Sequence, residues 1–316
     1  MTEEKRRRAF IKNVCFCALL IIFLSGCTAE NLARGMAGGM AGGTAGTSTA
    51  DKTGEESPAA AEPEKLPEQH TEHPLSGYIT EIFDKINLPA HKREYIINNL
   101  EEDAPFLTEL FHILNGDPNL WVLVDKKNQL DAYFEPKDLV DIASGSKIIT
   151  NRMLRKAAYE AVEEIINAAA DEGHTLIVIS AYRSYEHQGR TYTYWVAQEG
   201  QLEADRISAR PGHSQHQLGF TVDFNILDNE LAYTPEGVWL AENASRFGWS
   251  LSYPDGYEDL TGYNWECWHY RYTGKPLTAF INKYFDSIQQ HALMFIHEFT
   301  SDLQITEVFS QIYGQS

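Results

Sequence analysis

Residues 27–75 contain almost no large apolar side chains, and this limits where the chain can fold more than any other feature does. The stretch from Thr28 to about Pro74 is rich first in Ala, Gly and Thr and then in Glu and Pro, as in AGGMAGGTAG and EESPAAAEPEKLPEQ. Such a segment buries too little surface to offset the entropy of ordering it, so we predict a disordered tether with a random-coil span of roughly 40 Å. Folded structure is expected only from about Tyr78 onward.

A targeting segment precedes the tether. The basic cluster KRRR is followed by a mostly apolar stretch from Phe10 to Leu24, which is too short for an ordinary spanning helix. It ends in LSGC, which resembles the bacterial lipobox, where cleavage leaves a lipid-modified Cys27 at the new N-terminus. We therefore predict a lipoprotein signal peptide over residues 1–26, with an uncleaved membrane anchor as the alternative. Both interpretations place the rest of the chain outside the cytoplasm, held at the bacterial cell membrane.

The charge of the chain excludes one class of partner. The 316 residues include 26 Lys and Arg against 45 Asp and Glu, a formal charge of −19. Removal of residues 1–26 leaves 290 residues with 21 basic and 43 acidic side chains, a charge of −22. An acidic surface repels polyanions, so a nucleic-acid partner is not expected.

The pattern of apolar residues predicts three parts after the tether. Helical spacing indicates a helical preface over residues 76–118 and a C-terminal helical extension over residues 281–316, and irregularly interleaved helices and strands indicate a domain over residues 119–280. The fold class is therefore α+β, with a mostly antiparallel sheet, flanking helices and extra N-terminal helices. Strands are predicted at 121–125, 175–180, 220–224 and 268–272, helices at 151–171, through 192–195 and at 234–248, and one apolar helical stripe from Ile281 to Phe299.

Two short stretches contain the residue types of a hydrolytic metal site. A catalytic zinc binds about three nitrogen or oxygen ligands and leaves one position for water. His216, Asp223 and His269 supply two imidazoles and a carboxylate, and Glu266 is close enough in sequence to act on the water as general base. Gly219 permits a close turn between the first two ligands. His213 is an alternative ligand, and a role at the rim of the site is favoured for it.

The surrounding motifs resemble those of the VanY-type D-alanyl-D-alanine carboxypeptidases, the M15B group of zinc peptidases, which also includes peptidoglycan LD-carboxypeptidases. The family patterns S-G-Y-R-S, S-x-H-x-x-G-x-A-x-D and E-P-W-H correspond here to SAYRS, SQHQLGFTVD and ECWH, in the same order. The resemblance covers about Trp121 to Gly274. It implies a Hedgehog/DD-peptidase-like sheet that holds one Zn²⁺ through His216, Asp223 and His269.

The resemblance also implies roles for the neighbouring residues. Glu266 matches the general base that deprotonates the water and passes the proton to the leaving amine. Arg183 matches a residue that stabilises the developing oxyanion or holds the substrate carbonyl. Gln188 and Ser214 match substrate-binding positions of the pocket, and Trp268 is predicted to form an apolar wall.

Four positions depart from the family pattern. Ala181 replaces the usual Gly and Thr221 the usual Ala, and neither change removes a functional group. The other two alter the chemistry near the site. Cys267 stands where relatives usually have Pro, and we interpret it as a small buried hydrophobe rather than a metal or redox group. It is also the one cysteine left after the signal peptide and Cys27 are assigned, which excludes an intramolecular disulfide. Ser252 stands where many relatives carry Arg, which changes the electrostatics near the site.

These residues lead to one main hypothesis and two alternatives. The main hypothesis is a lipid-anchored zinc D,D-carboxypeptidase that removes the terminal D-amino acid from peptidoglycan stem peptides. The first alternative is an LD-carboxypeptidase that acts on tetrapeptide stems. The second is a peptidoglycan-binding lipoprotein with weak or no turnover, against which the intact Glu266 argues.

Overall fold

The protein is described from a computed structural model, which covers residue 73, residues 75–100, 105–142 and 153–302, and residues 307 and 309. All of these belong to one unit, Glu68–Ser316. The predicted signal peptide, Cys27 and nearly all of the predicted tether lie outside the described residues. Within those ranges, none of the helices is both long and apolar enough to cross a bilayer.

A four-stranded sheet forms the centre of the domain. Its strand order is β3-β4-β6-β5 with antiparallel neighbours throughout, and β1 and β2 form a separate antiparallel pair. The α+β class with an antiparallel sheet is therefore confirmed. The strands are β1 Leu139–Asp141, β2 Met153–Arg155, β3 Val178–Ser180, β4 Thr221–Phe224, β5 Trp249–Leu251 and β6 His269–Tyr272.

Helices surround the sheet, and further helices precede and follow its strands in the chain. Several begin at the residues that helix chemistry favours: Ser184 caps the fifth helix and Thr234 caps the seventh, where Pro235 follows at the first position. The helices are α1 Ser76–Lys85, α2 Ala90–Ile97, α3 Pro105–Leu114, α4 Lys156–Asp171, α5 Tyr185–Glu199, α6 Gln201–Ile207, α7 Pro235–Asn243, α8 Glu258–Thr261, α9 Gly274–Tyr284 and α10 Gln289–Ser301.

Two hydrophobic cores stabilise this arrangement. One, which we call the sheet core, joins α4 and α7 to the sheet around residues such as Phe224 and Trp249. The other, the helical core, joins α1–α3 to α9 and α10 around aromatic residues such as Phe106 and Phe295, whose ring centroids are 5.6 Å apart. The helices before and after the sheet therefore share one core although they are far apart in sequence.

One local prediction is wrong and two differ from the structure in where the helices begin or end, each for an identifiable reason. Residues 121–125 form no strand, because the backbone turns at Asp125, whose carboxylate accepts from the backbone N–H groups of residues 127 and 128. The predicted helix 151–171 begins only at Lys156, because residues 153–155 pair with β1. The apolar stripe from Ile281 to Phe299 is two helices, because Asp286 and Ser287 adopt φ of 50° and 64° and end the first.

The turn that leads into β4 depends on Gly219. Residues 215–218 form a 3-10 turn that ends at this glycine, whose φ is 72°. A Cβ atom at this position would lie 3.0 Å from side-chain atoms of Arg155 and Leu139. The predicted close turn at Gly219 is therefore present, and glycine is favoured there by both backbone conformation and space.

We expect Gly219→Ala to lower the free energy of unfolding by about 1–2 kcal/mol. The left-handed conformation is unfavourable for alanine, and its methyl group would displace two side chains. Chemical denaturation measures the change. Gly77→Ala is the matched control: Gly77 lies in α1 with no heavy atom within 4 Å of an added Cβ, so we expect no loss of stability there. Equal effects at the two positions would contradict the requirement for glycine at position 219.

Candidate metal centre

Neighbouring strands bring two of the predicted metal ligands to one place. Asp223 on β4 and His269 on β6 are directly paired in the antiparallel register. Paired residues on adjacent antiparallel strands project from the same face of a sheet, so their side chains meet. The third ligand, His216, lies in the 3-10 turn before Gly219, and the backbone N–H of Arg183 donates to its carbonyl at 3.2 Å.

Each histidine makes a hydrogen bond through the ring nitrogen that faces away from Asp223. His216 Nδ1 lies 2.7 Å from the carbonyl oxygen of Ala181, and His269 Nε2 lies 3.3 Å from Oε1 of Gln215. Both partners are acceptors, so each ring carries a proton on that side. The opposite nitrogens, His216 Nε2 and His269 Nδ1, are then available to bind a cation.

These two nitrogens converge on the carboxylate of Asp223. His216 Nε2 lies 3.2 Å from Oδ2, and His269 Nδ1 lies 3.2 Å from Oδ1. Oδ1 is buried and accepts no hydrogen bond within the part of the chain that the structure describes. One ligand atom from each of the three side chains lies within 4.8 Å of the others. Buried lone pairs that face one another need a positive charge between them, so this group fits a metal ion.

The charges of the group determine where a proton resides. Burial lowers the pKa of His216 to about 4. Burial also opposes a charge on His269, but the adjacent carboxylates of Asp223 and Glu266 favour its protonated form and raise its pKa to about 9. Burial alone would raise the pKa of Asp223, yet the two histidines hold it well below its usual range. A proton on His269 therefore competes with a cation for the same site.

Glu266 and Arg183 flank the ligands on the more accessible side. Glu266 Oε2 lies 3.4 Å from His269 Nδ1, and Arg183 Nη2 lies 3.9 Å from Asp223 Oδ2. The side chains of Glu266 and Arg183 are 15% and 17% exposed, whereas the three ligands are 4–6% exposed. Burial raises the pKa of Glu266, which makes its carboxylate a better proton acceptor than an exposed one.

Gln188 holds the arginine in this position. Its Oε1 accepts from Arg183 Nη1 at 2.9 Å, and its Nε2 donates to the carbonyl of Ala209 at 2.6 Å. Arg183 Nη2 also donates to Ser180 Oγ at 3.0 Å. The buried Gln188 amide is thus occupied in orienting the guanidinium, and its direct contact with substrate stays a prediction.

The other predicted site residues lie close by in the chain. Ser214 is buried at the start of the 3-10 turn that carries His216. Trp268 is half-buried, and its backbone carbonyl accepts from the N–H of Phe224 at 3.0 Å. Their roles in substrate binding stay predictions. Cys267 is a buried free thiol whose pKa burial raises to about 11.

Sequence reasoning missed three groups that shape the site. The ring of Tyr253 packs on His269 with centroids 4.7 Å apart. The carbonyl of Ala181 and the amide of Gln215 orient the two histidines. Gln215 lies inside the SQHQ motif beside a predicted ligand, and this was the one signal that could have found it. Backbone groups and distant aromatic residues leave no such signal.

We expect Asp223→Asn to abolish stoichiometric metal binding, because the amide removes the negative charge that faces both histidines. Elemental analysis after dialysis measures bound metal, and the affinity of the unchanged protein should fall as the pH is lowered, because His269 takes up a proton.

His213→Gln is the control for this variant. His213 Nδ1 lies 2.7 Å from the carbonyl of Asp125, and His213 is not part of the ligand group. We expect it to retain the metal. Loss of metal in His213→Gln and retention in Asp223→Asn would exclude the assigned ligand set.

Comparison with known proteins agrees with the geometry. A family model described as VanY, D-alanyl-D-alanine carboxypeptidase, matches residues 151–275. The putative carboxypeptidase YodJ of Bacillus subtilis is 33% identical over 193 residues, which are 56% of this chain and 71% of that protein. A D-alanyl-D-alanine carboxypeptidase of Enterococcus faecalis is 32% identical over 170 residues, 50% of this chain and 61% of that protein. The solved structure of the LdcB LD-carboxypeptidase is 33% identical, with a TM-score of 0.48 over 54% of this chain and 86% of that one. The family model, together with the match to YodJ over 71% of that protein, shows that the chain belongs to the VanY family of carboxypeptidases.

Proposed function

We propose that the protein is a zinc-dependent D-alanyl-D-alanine carboxypeptidase that removes the terminal D-amino acid from peptidoglycan stem peptides. The observation that carries this proposal is the convergence of His216, Asp223 and His269 beside Glu266. Family membership supplies the reaction class. The name of the enterococcal relative supports the substrate.

Zinc is the metal that suits this donor set best. Two imidazole nitrogens and one carboxylate are typical of catalytic zinc sites, whereas magnesium and calcium prefer oxygen ligands. When bound, such an ion acts as a Lewis acid that polarises a carbonyl group and lowers the pKa of water.

The side chains of this chain account for the remaining chemistry. The Glu266 carboxylate accepts a proton from the attacking water and delivers it to the amine of the departing D-amino acid. The Arg183 guanidinium, held by Gln188 and Ser180, donates hydrogen bonds to the carbonyl oxygen as negative charge develops there. Because these donors are fixed before substrate binds, little reorganisation is needed during the reaction.

We expect Glu266→Gln to lower kcat by roughly 10²–10⁴-fold while metal content stays unchanged, because the amide keeps the size of the side chain but accepts no proton. Release of D-alanine from a synthetic stem peptide that ends in D-Ala-D-Ala measures the rate. Asp259→Asn, which removes an exposed carboxylate from the adjacent helix α8, is the control and should keep full activity.

The same assay separates the proposal from its two alternatives. A second stem peptide, ending in an L-residue followed by D-alanine, should be cleaved poorly. Preference for this second peptide would replace the proposal with an LD-carboxypeptidase. A zinc-loaded protein that cleaves neither peptide, with Glu266→Gln identical to the unchanged chain, would identify a binding protein instead.

We further propose that the enzyme acts outside the cytoplasm, anchored to the cell membrane through a lipid on Cys27. The lipobox-like LSGC and the Ala/Gly-rich and Glu/Pro-rich segment after it support this proposal. A flexible tether would let an anchored domain reach stem peptides in the layer above its membrane.

We expect Cys27→Ser to eliminate incorporation of radiolabelled fatty acid into the protein in its native bacterium and to leave residues 1–26 attached, because modification and cleavage both require this thiol. Cys267→Ser is the control and should remain labelled and cleaved. Labelling of the Cys27→Ser chain would exclude the anchor.

A further inference from the structure

We propose that Gln289, at the start of α10, is a positioning residue that sets the orientation of the metal ligand His269 through Gln215 and Ser252. The inference rests on the proposed function, because it takes His269 to be a metal ligand. It assigns to the helices outside the sheet a part in the metal site.

A continuous set of buried hydrogen bonds joins Gln289 to His269. Gln289 Oε1 accepts from Gln215 Nε2 at 3.4 Å. Gln215 Oε1 lies 3.3 Å from His269 Nε2 and accepts from the hydroxyl of Ser252 at 2.7 Å. All four residues are buried, with at most 5% of each residue's surface exposed, so solvent does not compete for these contacts.

The donor and acceptor roles along this set of hydrogen bonds are fixed by Gln289, at the end far from the metal site. Gln289 Nε2 donates to the backbone carbonyl of Ser250 at 3.1 Å, and a carbonyl oxygen can only accept. The amide nitrogen of Gln289 must therefore face Ser250, and its oxygen must face Gln215.

The orientation of the Gln289 amide determines the orientation of the His269 ring. An acceptor oxygen on Gln289 requires Gln215 to present its amide nitrogen there and its oxygen to His269. An acceptor opposite Nε2 places the ring proton on Nε2 and leaves Nδ1 directed at Asp223, 3.2 Å away. Groups that bind the second nitrogen of a metal-ligating histidine fix both its tautomer and its ring orientation.

The helical core explains why Gln289 stands in this position. The turn between α9 and α10 has two consecutive non-glycine residues with positive φ, Asp286 and Ser287. The carboxylate of Asp286 forms an ion pair with Lys92 and lies 3.0 Å from Nε2 of His91, and both residues are in α2. The N-terminal helices thus hold the turn that directs Gln289 toward the sheet.

Ser252 supplies a second restraint on the same amide. Its hydroxyl has one hydrogen and two acceptors in reach, Gln215 Oε1 at 2.7 Å and Gln289 Oε1 at 3.3 Å, and the shorter contact directs the hydrogen to Gln215. This keeps the oxygen of Gln215 on the side of His269. Ser252, which stands where many relatives carry Arg, therefore supplies a short neutral donor to the Gln215 amide oxygen.

The test compares zinc affinity in full-length chains that differ at one buried hydrogen bond. Gln289→Met keeps the approximate volume of the side chain and removes its amide. We expect its zinc dissociation constant, measured by competition with a chelator of known affinity, to rise by about tenfold or more. Ser252→Ala, a smaller change, should weaken binding in the same direction and serves if Gln289→Met does not fold.

Thr278→Val is the matched control. It removes two buried hydrogen bonds of the Thr278 hydroxyl, one of 2.7 Å with Thr273 and one of 2.8 Å to the Gly274 carbonyl. Neither of these hydrogen bonds involves His269 or Gln215. We expect it to lower the midpoint of thermal unfolding without changing zinc affinity. An equal loss of zinc affinity in Thr278→Val would show that lost stability alone explains the effect of Gln289→Met, and it would overturn the proposal.

A rescue variant separates orientation from stability. Gln215→Glu places a carboxylate opposite His269 Nε2, and both of its oxygens accept, so the orientation no longer depends on Gln289. We expect Gln215→Glu combined with Gln289→Met to regain zinc affinity without regaining the lost unfolding stability.

Three further outcomes are decisive. Zinc affinity that is unchanged in both Gln289→Met and Ser252→Ala, in a chain whose parent binds zinc, would contradict the positioning role alone. Failure of the combined variant to regain affinity would also contradict it. Failure of the unchanged chain to bind zinc would contradict the proposed function and this inference together.

Discussion

The electrostatics around Asp223 govern the rest of the site. Two imidazole nitrogens face its buried carboxylate at 3.2 Å, and each histidine is prevented from turning away by an acceptor behind it. Such an arrangement is stable only with a positive charge at its centre, a metal ion or a proton. The roles of Glu266 and Arg183 follow from their places beside that charge, because one presents a basic oxygen and the other a fixed pair of donors.

The sheet and the helical core contribute differently to this site. Strand pairing between β4 and β6 brings Asp223 and His269 together, which depends on local register alone. The helical core reaches His269 through a seam of buried polar side chains, which includes Gln215 and Gln289. The adjacent Gln290 donates to Asp125 at 2.8 Å. Buried polar seams specify one arrangement of two packed layers, because a shift between the layers leaves donors and acceptors unpaired.

Much of this could be predicted from the sequence, and the limits have physical causes. The antiparallel α+β class followed from apolar periodicity, and the candidate ligands followed from their chemical types and motif spacing. The seam could not be predicted, because Gln215 and Gln289 are 74 positions apart and only the fold relates them. The break at Asp286 was also hidden, since non-glycine residues seldom adopt positive φ and the apolar pattern continues through it. The targeting segment and domain boundaries stay predictions.

The thiol of Cys267 has a chemical consequence. A thiolate, not a thiol, reacts with peroxides, disulfides and alkylating reagents. With a pKa of about 11, only on the order of one Cys267 side chain in 10⁴ carries that charge at neutral pH. Burial therefore keeps Cys267 in its weakly reactive thiol form, so the cysteine beside Glu266 adds no strong competing nucleophile to this part of the chain.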